Sequence, residues 1–143
     1  MDVCCLNRPF DDLSQERVYF ETEAILHIIS RCDGGDWTLL SSGAIDFEFS
    51  QISDEDKRER VLELFSPADE HIEITNELAE RAKQFQSFGV KRFDSYHLAL
   101  AEKGNADVLL TTDDQFIKSA SRTDAKVKII NPVKWIMEVM SNE

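Results

Sequence analysis

Four acidic residues along the chain could form one metal-binding site. Asp2 stands near the start, Glu48 lies between two phenylalanines, Asp94 follows another, and Asp113 comes just after the apolar run 108–110. Carboxylates that come together repel one another, and burial beside aromatic rings makes each more costly to ionise. A hard divalent cation removes this conflict, because Mg²⁺ and Mn²⁺ prefer carboxylate and water oxygens. These four acids are therefore candidate ligands of a Mg²⁺ or Mn²⁺ ion.

The order of strands and helices would bring these acids to one edge of a sheet. Apolar runs and turn residues predict strands over 37–41, 71–74, 107–111 and 127–130, with helices between them. This alternation indicates a mostly parallel central sheet covered on both faces, that is, an α/β protein with a three-layer α/β/α sandwich. Ligands of such sheets bind outside the carboxyl ends of the strands. Asp113 follows such an end.

Capping and stop residues set the predicted limits of the helices. The expected helices are one from a capping box at Asp12 to about Arg31, one over 44–51, one capped by Ser53, one capped by Thr75 and ended by Gly89, one over 94–103 stopped by Gly104, a short one capped by Asp114, and a last one from Pro132.

The composition favours one domain over residues 1–143 and excludes several classes of protein. Hydrophobic residues make up 42% of the 143 and charged residues 31%, which suits a single core. No apolar run approaches a membrane span and no leader pattern is visible, so we expect a cytoplasmic protein. The three cysteines form no C-x-x-C pair, and we expect them to be reduced and packed.

The formal net charge of −12 opposes long-range attraction of nucleic acid. A bound divalent cation would reverse the field locally, so an enzyme acting on nucleic acid is not excluded. Bases also cluster at a few places, most of which we interpret as solvated helix faces.

Two segments in the second half of the chain resemble the PIN domain family. Residues 92–102 read RFDSYHLALAE, and residues 106–113 read ADVLLTTD. They are similar to the family's Asp-led helix with a following His and small residues, then an apolar strand and a T-x-D motif. Residues 2–9 resemble the family's first-acid motif, and residues 41–48 resemble the segment with its second acid.

This resemblance implies a divalent-metal-dependent endoribonuclease, as in VapC-type toxins of toxin–antitoxin pairs. Carried over by position, Asp2, Glu48, Asp94 and Asp113 would be its catalytic, metal-holding acids. They would bind Mg²⁺ or Mn²⁺ and hydrolyse RNA phosphodiester bonds with a metal-activated water. The implied partners are the RNA substrate, a cognate antitoxin that covers the acidic groove with a basic or aromatic segment, and a second copy of the chain in a homodimer.

The N-terminal segment departs from the family pattern at two places. The resemblance implies a strand before the first acid, which would either precede the given start or be formed by Val3 to Leu6. A small polar residue is usual two positions after that acid, and Cys4 stands there. A thiol is softer and adds little to a Mg²⁺ shell.

Each candidate acid also has a simpler structural interpretation. Asp94 could only cap its helix, Asp113 could be a turn acid, and Asp46 could replace Glu48 as the second site acid. Asp114 could serve as an outer ligand, but we favour a helix cap.

Other polar and aromatic residues near the motifs are expected to pack in the core or to make weak contacts with phosphate. His97 lies three residues after Asp94 on the same helix face, and its apolar neighbours favour a packing role. The basic residues near the site acids are candidates for weak phosphate contacts: Arg8, Lys91 and Arg92. The last helix should pack its apolar residues, among them Trp135, Ile136 and Val139, into the core.

Two rival functions remain open at this point. One is a PIN-like fold that has lost activity and serves as an acidic protein-interaction module. The other is a receiver-like or phosphatase-like domain with an acidic Mg²⁺ pocket. Asp11 and Asp12 could imitate the acid pair of a receiver, but no strand with a suitable phosphoacceptor and no late lysine is evident.

Overall fold

Eight α-helices and four short strands make up the described part of the chain, residues 1–141 of a computed structural model. In chain order they are α1 (Val3–Asn7), a 3-10 turn (Arg8–Phe10), α2 (Glu16–Asp33), β1 (Leu40–Ser42), α3 (Gly43–Ser50), α4 (Glu55–Leu64), β2 (Glu70–Ile72), α5 (Asn76–Ser87), α6 (Arg92–Lys103), β3 (Val108–Leu110), α7 (Asp114–Ala120), β4 (Lys128–Ile130) and α8 (Pro132–Ser141). Residues 142 and 143 of the predicted domain lie outside the described residues. No helix in the described range is long and apolar enough to cross a membrane.

The strands form two parallel pairs with helices on both sides. β1 pairs with β2, Leu40 opposite Glu70, and β3 pairs with β4, Val108 opposite Lys128. The predicted three-layer α/β/α architecture is confirmed. The strands are shorter than expected, and they form two ladders where one continuous sheet was predicted.

Alternation along the strands divides the interior into two hydrophobic clusters. Leu110 joins Ile25 and Val61 in a cluster with α1 to α4, whereas Leu109 joins Phe85 and Leu98 in a cluster with α5 to α7. Successive strand residues point to opposite faces, so each β3 side chain packs against the helices of one layer. Full burial of side chains of this size contributes about 2 kcal/mol each, which holds the layers on the strands.

The predicted helix caps are partly correct. Thr75 accepts a hydrogen bond from the Leu78 amide, as expected. The capping box at Asp12 is wrong, because Asp12 instead closes a turn by accepting from the amide and hydroxyl of Ser14, and α2 begins only at Glu16. An aspartate next to a serine satisfies a local turn as readily as a helix end, so the two are hard to separate by sequence.

Two further caps lie one residue away from the predicted ones. Asp54, not Ser53, caps α4 by accepting from the Lys57 amide. Asp113, not Asp114, caps α7 by accepting from two amides of its first turn. In both cases adjacent residues have equal capping chemistry, and the backbone path decides between them.

α6 ends at Lys103 with Gly104 as its C-terminal cap, as predicted, and the residue in left-handed conformation is Asn105, with φ 54°. Gly104 also has a packing role. A Cβ atom there would lie 3.1 Å from side-chain carbons of Ile72 and Leu40. The glycine therefore lets α6 approach the first strand pair closely.

The N-terminal segment is helical, so the alternative in which Val3 to Leu6 form the first strand is wrong. Asp2 is extended and caps α1 by accepting from the Cys5 amide. The Asp2 amide also donates to the carbonyl of Leu110 at 3.0 Å. One residue thus makes a strand-like contact with β3 before a helix begins.

A groove separates β1 from β3. Both strands, with Ile28 and Cys32 of α2 and Leu100 of α6, line this cavity of about 470 Å³. The Leu110 carbonyl faces the groove, and the Thr111 amide faces β4, where it bonds to the Ile130 carbonyl. Because backbone groups alternate sides along a strand, the edges of β1 and β3 present further amides and carbonyls to the groove.

An apolar, β-branched extension of about four residues fused before Met1 is expected to stabilise the protein. It would continue the ladder that the Asp2 amide begins and bury side chains between α2 and α6, which we expect to add about 2 kcal/mol. Thermal unfolding and hydrogen exchange of the Leu110 amide measure the effect. A Gly/Ser extension of equal length is the control. Equal melting temperatures for the two extensions would show that the groove does not accept a strand.

Candidate metal site

Asp2 is buried at the point where the N-terminus meets the end of β3. Its side chain is 3% exposed. Oδ2 accepts from the hydroxyl of Thr111 at 2.5 Å, and Oδ1 accepts from the amide of Cys5 at 3.2 Å. Burial raises the pKa of Asp2, although these hydrogen bonds and the nearby His97 oppose the rise. A cation bound close to this buried carboxylate would favour its charged form.

Asp94 lies in the first turn of α6, and the extended residue Lys91 precedes the helix. The cap is Lys91, so Asp94 is not the cap residue. No described residue donates a hydrogen bond to its half-buried carboxylate. Burial raises the pKa of Asp94 to about 6, and the negative charges of Asp113, Asp2 and Glu48 add to the rise. Like charges disfavour ionisation in this way only when they lie close together.

Glu48 on α3 faces His97 on α6. Glu48 Oε1 lies 2.6 Å from Nε2 of the buried His97. The prediction that His97 packs in the interior is correct about burial but missed this contact. The only signal in the sequence was its position three residues after Asp94. The hydrogen bond fixes the orientation of the glutamate and leaves Oε2 without a described hydrogen-bond partner.

Asp113 is the last of the four acids and is positioned by the turn after β3. Its amide donates to the Thr111 hydroxyl at 3.1 Å, and its Oδ1 caps α7. Thr111 therefore contacts both Asp2 and Asp113. This bridging threonine is fully buried, and its position after an apolar strand does not by itself indicate that it joins two of the acids.

The charges of all four acids affect the pKa of the Cys4 thiol. Its pKa is raised to about 12, first by desolvation and then by the negative charges of Asp2, Asp113, Glu48 and Asp94. All four charges act on one thiol, so they surround one region of the surface. Cys4 itself is exposed, contrary to the expectation that all three cysteines are packed, whereas Cys5 and Cys32 are buried and free.

The donor chemistry of this cluster fits a hard divalent cation, but the described geometry is not that of a ligand shell. Among residues 1–141, no group of three or more His, Cys, Asp or Glu side chains is arranged to hold a metal ion. Three of the acids use oxygens in internal hydrogen bonds, and Asp94 has none from a described donor. Binding would therefore require the side chains of Asp2, Glu48, Asp94 and Asp113 to rearrange.

Asp46 lies apart from this cluster. It is exposed and pairs with His71, with 2.7 Å between Oδ2 and Nε2. This contact raises the pKa of His71. Between the two acids of α3, Glu48 is the one that shares the region of Asp2 and Asp94.

The three predicted phosphate contacts have different surroundings. Lys91 and Arg92 are exposed at the start of α6. Arg8 instead bonds to Glu21 at 2.9 Å and to Asp11 at 3.1 Å. Its guanidinium therefore has a structural use, and a phosphate contact by Arg8 stays a prediction.

The comparisons with known proteins agree with this arrangement. No curated protein and no solved structure matches the chain. The family model described as PIN domain matches residues 15–121, a range that includes Glu48, Asp94 and Asp113 and leaves Asp2 outside. Since the match covers most of the 143 residues, the chain belongs to the PIN domain family.

Proposed function

We propose that this protein is a divalent-metal-dependent endoribonuclease. Proteins with PIN domains are generally nucleases, which supports hydrolysis of nucleic acid at a coarse level. The choice of RNA and of Mg²⁺ or Mn²⁺ is our inference.

The observation that carries the proposal is the state of Asp94. A half-buried carboxylate with a pKa of about 6, without a described hydrogen-bond donor and near three other acids, is unfavourable for a structural residue. Perturbed acids of this kind cluster at functional sites. A bound cation would neutralise the carboxylate charges and remove the electrostatic cost of placing them together.

The residues around the cluster have defined positioning roles in this proposal. Asp2, Glu48, Asp94 and Asp113 would hold the cation. Thr111 holds the Asp2 carboxylate, and His97 holds that of Glu48. A bound divalent ion supplies an activated water and charge neutralisation at the phosphate.

Cleavage of a mixed-sequence RNA oligonucleotide by the purified chain tests the proposal. We expect cleavage with Mn²⁺ or Mg²⁺ and none with EDTA. A Glu48→Gln variant should lose at least about 100-fold in rate, whereas its neighbour variant Asp46→Asn should remain active. Cleavage that persists in EDTA, or equal rates in both variants, would contradict the proposed site.

Neutralising the exposed bases of α6 is expected to weaken RNA binding. A Lys91→Gln, Arg92→Gln double variant removes up to two phosphate contacts, which should reduce the salt dependence of log Kd by about 1 to 2. Binding titrations at several salt concentrations measure this slope, with Lys103→Gln as an exposed control at the other end of the helix. An unchanged slope would exclude phosphate contact at these positions.

We further propose that the nuclease is the toxin of a toxin–antitoxin pair acting in the cytoplasm, and that it forms a homodimer. The net charge of −12 favours an antitoxin with a basic segment. Growth arrest that requires Glu48 and a dimer mass in solution are the expected results. Arrest by the Glu48→Gln variant would contradict the toxin role.

A second candidate is an inactive acidic interaction module. It is favoured by the absence, within residues 1–141, of three side chains arranged to hold a metal. No cleavage with any metal and no effect of Mn²⁺ on the melting temperature would support this candidate over the nuclease.

A further inference from the structure

Two exposed phenylalanines stack on each other beside the acidic cluster. Phe47 on α3 is 48% exposed and Phe93 on α6 is 52% exposed. Their ring centroids lie 5.7 Å apart, and the ring planes are inclined by only 17°. The pair thus presents aromatic surface to solvent in a nearly parallel arrangement.

The core does not require these rings. On α3 the neighbouring phenylalanine, Phe49, is 4% exposed and packs edge-on against Phe65. On α6 the buried face is formed by later residues such as Leu98. Several other large apolar side chains are exposed as well, but Phe47 and Phe93 come from different helices and form a contiguous patch, which is typical of an interaction surface.

The position of the pair links it to the acids. Phe47 directly precedes Glu48, and Phe93 directly precedes Asp94. The same two helices are joined by the bond between Glu48 and His97. The two rings and the two acids therefore lie on the same pair of contacting helices, α3 and α6.

The charges nearby point to a nucleic-acid strand as the occupant. Lys91 and Arg92 are exposed at the start of α6, just before Phe93. In a chain of net charge −12, long-range electrostatics repel a polyanion. Stacking on a base face is short-ranged and does not depend on that field.

We propose that Phe47 and Phe93 form a base-stacking subsite for single-stranded RNA next to the acidic cluster. This inference rests on the proposed nuclease function. Phenyl rings offer no hydrogen bond to a base edge, so the subsite accepts any base and favours purines, whose larger rings overlap more with the phenylalanines. The base of a nucleotide close to the cleaved phosphate occupies the subsite, and Lys91 and Arg92 lie toward its backbone.

Binding of a fluorescein-labelled oligoribonucleotide, measured by anisotropy, tests the subsite. The chain carries Glu48→Gln so that the probe is not cleaved. Adding Phe47→Ala and Phe93→Ala together should raise Kd at least about 10-fold, because stacking contributes roughly 1–3 kcal/mol per base. The control Phe20→Ala removes a ring that is 58% exposed on α2 and should leave Kd unchanged.

Conservative variants separate stacking from general apolar contact. Phe93→Trp should preserve affinity for the oligoribonucleotide, whereas Phe93→Leu should lose it, because leucine is apolar but has no π face. Equal affinity of the Phe93→Leu variant and its parent would overturn the proposal. So would a double-alanine variant that binds RNA normally but loses its dimer mass, since the pair would then be a protein interface.

The failure of this proposal differs from the failure of the proposed function. Metal-dependent cleavage by the unmodified chain, together with unchanged Kd in the double-alanine variant, would remove the subsite and leave the nuclease intact. Absence of metal-dependent cleavage would instead contradict the nuclease, whatever the ring variants do.

Discussion

The Asp94→Asn variant is expected to lose activity and to gain stability in the absence of metal. Asparagine lacks the charge that would hold a divalent cation, so RNA cleavage should fall at least about 100-fold. We expect Mn²⁺ to raise the melting temperature of the unmodified protein, and this rise should be absent in the variant. Cleavage assays and thermal unfolding with and without Mn²⁺ measure both effects.

The gain in stability follows from the pKa of Asp94, which is raised from 3.8 to about 6. Between these values the folded protein binds more protons than the unfolded chain, so the free energy of unfolding falls as pH rises through this window. The Asp94→Asn variant has no carboxyl group at this position, so it does not lose stability in this way as pH rises. Above pH 6 in EDTA we expect it to be more stable by about 1 kcal/mol, a value reduced for the partial exposure of the group.

Melting curves in EDTA at pH 8 and at pH 3.5 test this sign. The difference between variant and parent should be about 4 °C at pH 8 and close to zero at pH 3.5. Asp107→Asn, at an exposed position, is the matched control and should show no difference at either pH. A variant that is less stable than the parent at pH 8 would show that Asp94 does not bear the predicted electrostatic cost.

Glu21→Gln is expected to destabilise the fold strongly. Glu21 on α2 is 2% exposed and receives hydrogen bonds from Arg8, Arg17 and Asn131 at 2.9, 3.2 and 2.6 Å. The carboxylate thus joins α2 to the N-terminal segment and to the start of α8. Arg17 extends the link to the start of α7, where it donates to both carboxylate oxygens of Asp114.

Removing the negative charge leaves two guanidinium groups without their central partner. Loss of one member of a buried ion pair costs about 3–5 kcal/mol, and we expect about 2–3 kcal/mol here because Arg17 can reach water. Thermal unfolding should show a decrease of about 10 °C. Glu23→Gln, at an exposed position of the same helix, should change little. A loss of similar size in Glu23→Gln would mean that the effect arises from net charge and not from the network.

The features that the sequence predicted correctly depend on local patterns. The alternation of apolar runs with helical spacing predicted the layers, and the segment from Arg92 to Asp113 predicted the family to which the chain belongs. Failures occurred where local chemistry is degenerate. Asp113 and Asp114 are equally good caps, and residues 3–6 are apolar enough for a strand, although Asp2 in front of them caps a helix.

Contacts between residues far apart in the chain could not be derived from the sequence. His97 and Glu48 are 49 positions apart in the chain and form a hydrogen bond, as do Glu21 and Asn131, which are 110 positions apart. Nothing in the local pattern of either residue specifies its partner, because such contacts arise only when layers pack. The same holds for the stacked rings of Phe47 and Phe93, for which the sequence shows only that each directly precedes a candidate acid.

The amino-acid sequence was enough to predict the α/β class, the approximate order of helices and strands, and the candidate acids Asp2, Glu48, Asp94 and Asp113. These follow from periodicity, capping chemistry and motif spacing, which act within a few residues. The tertiary structure alone decided the pKa of Asp94, the orientation of Glu48 by His97 and the division of the strands into two pairs. Desolvation and charge coupling depend on what surrounds a group in space, and only packing brings those surroundings together.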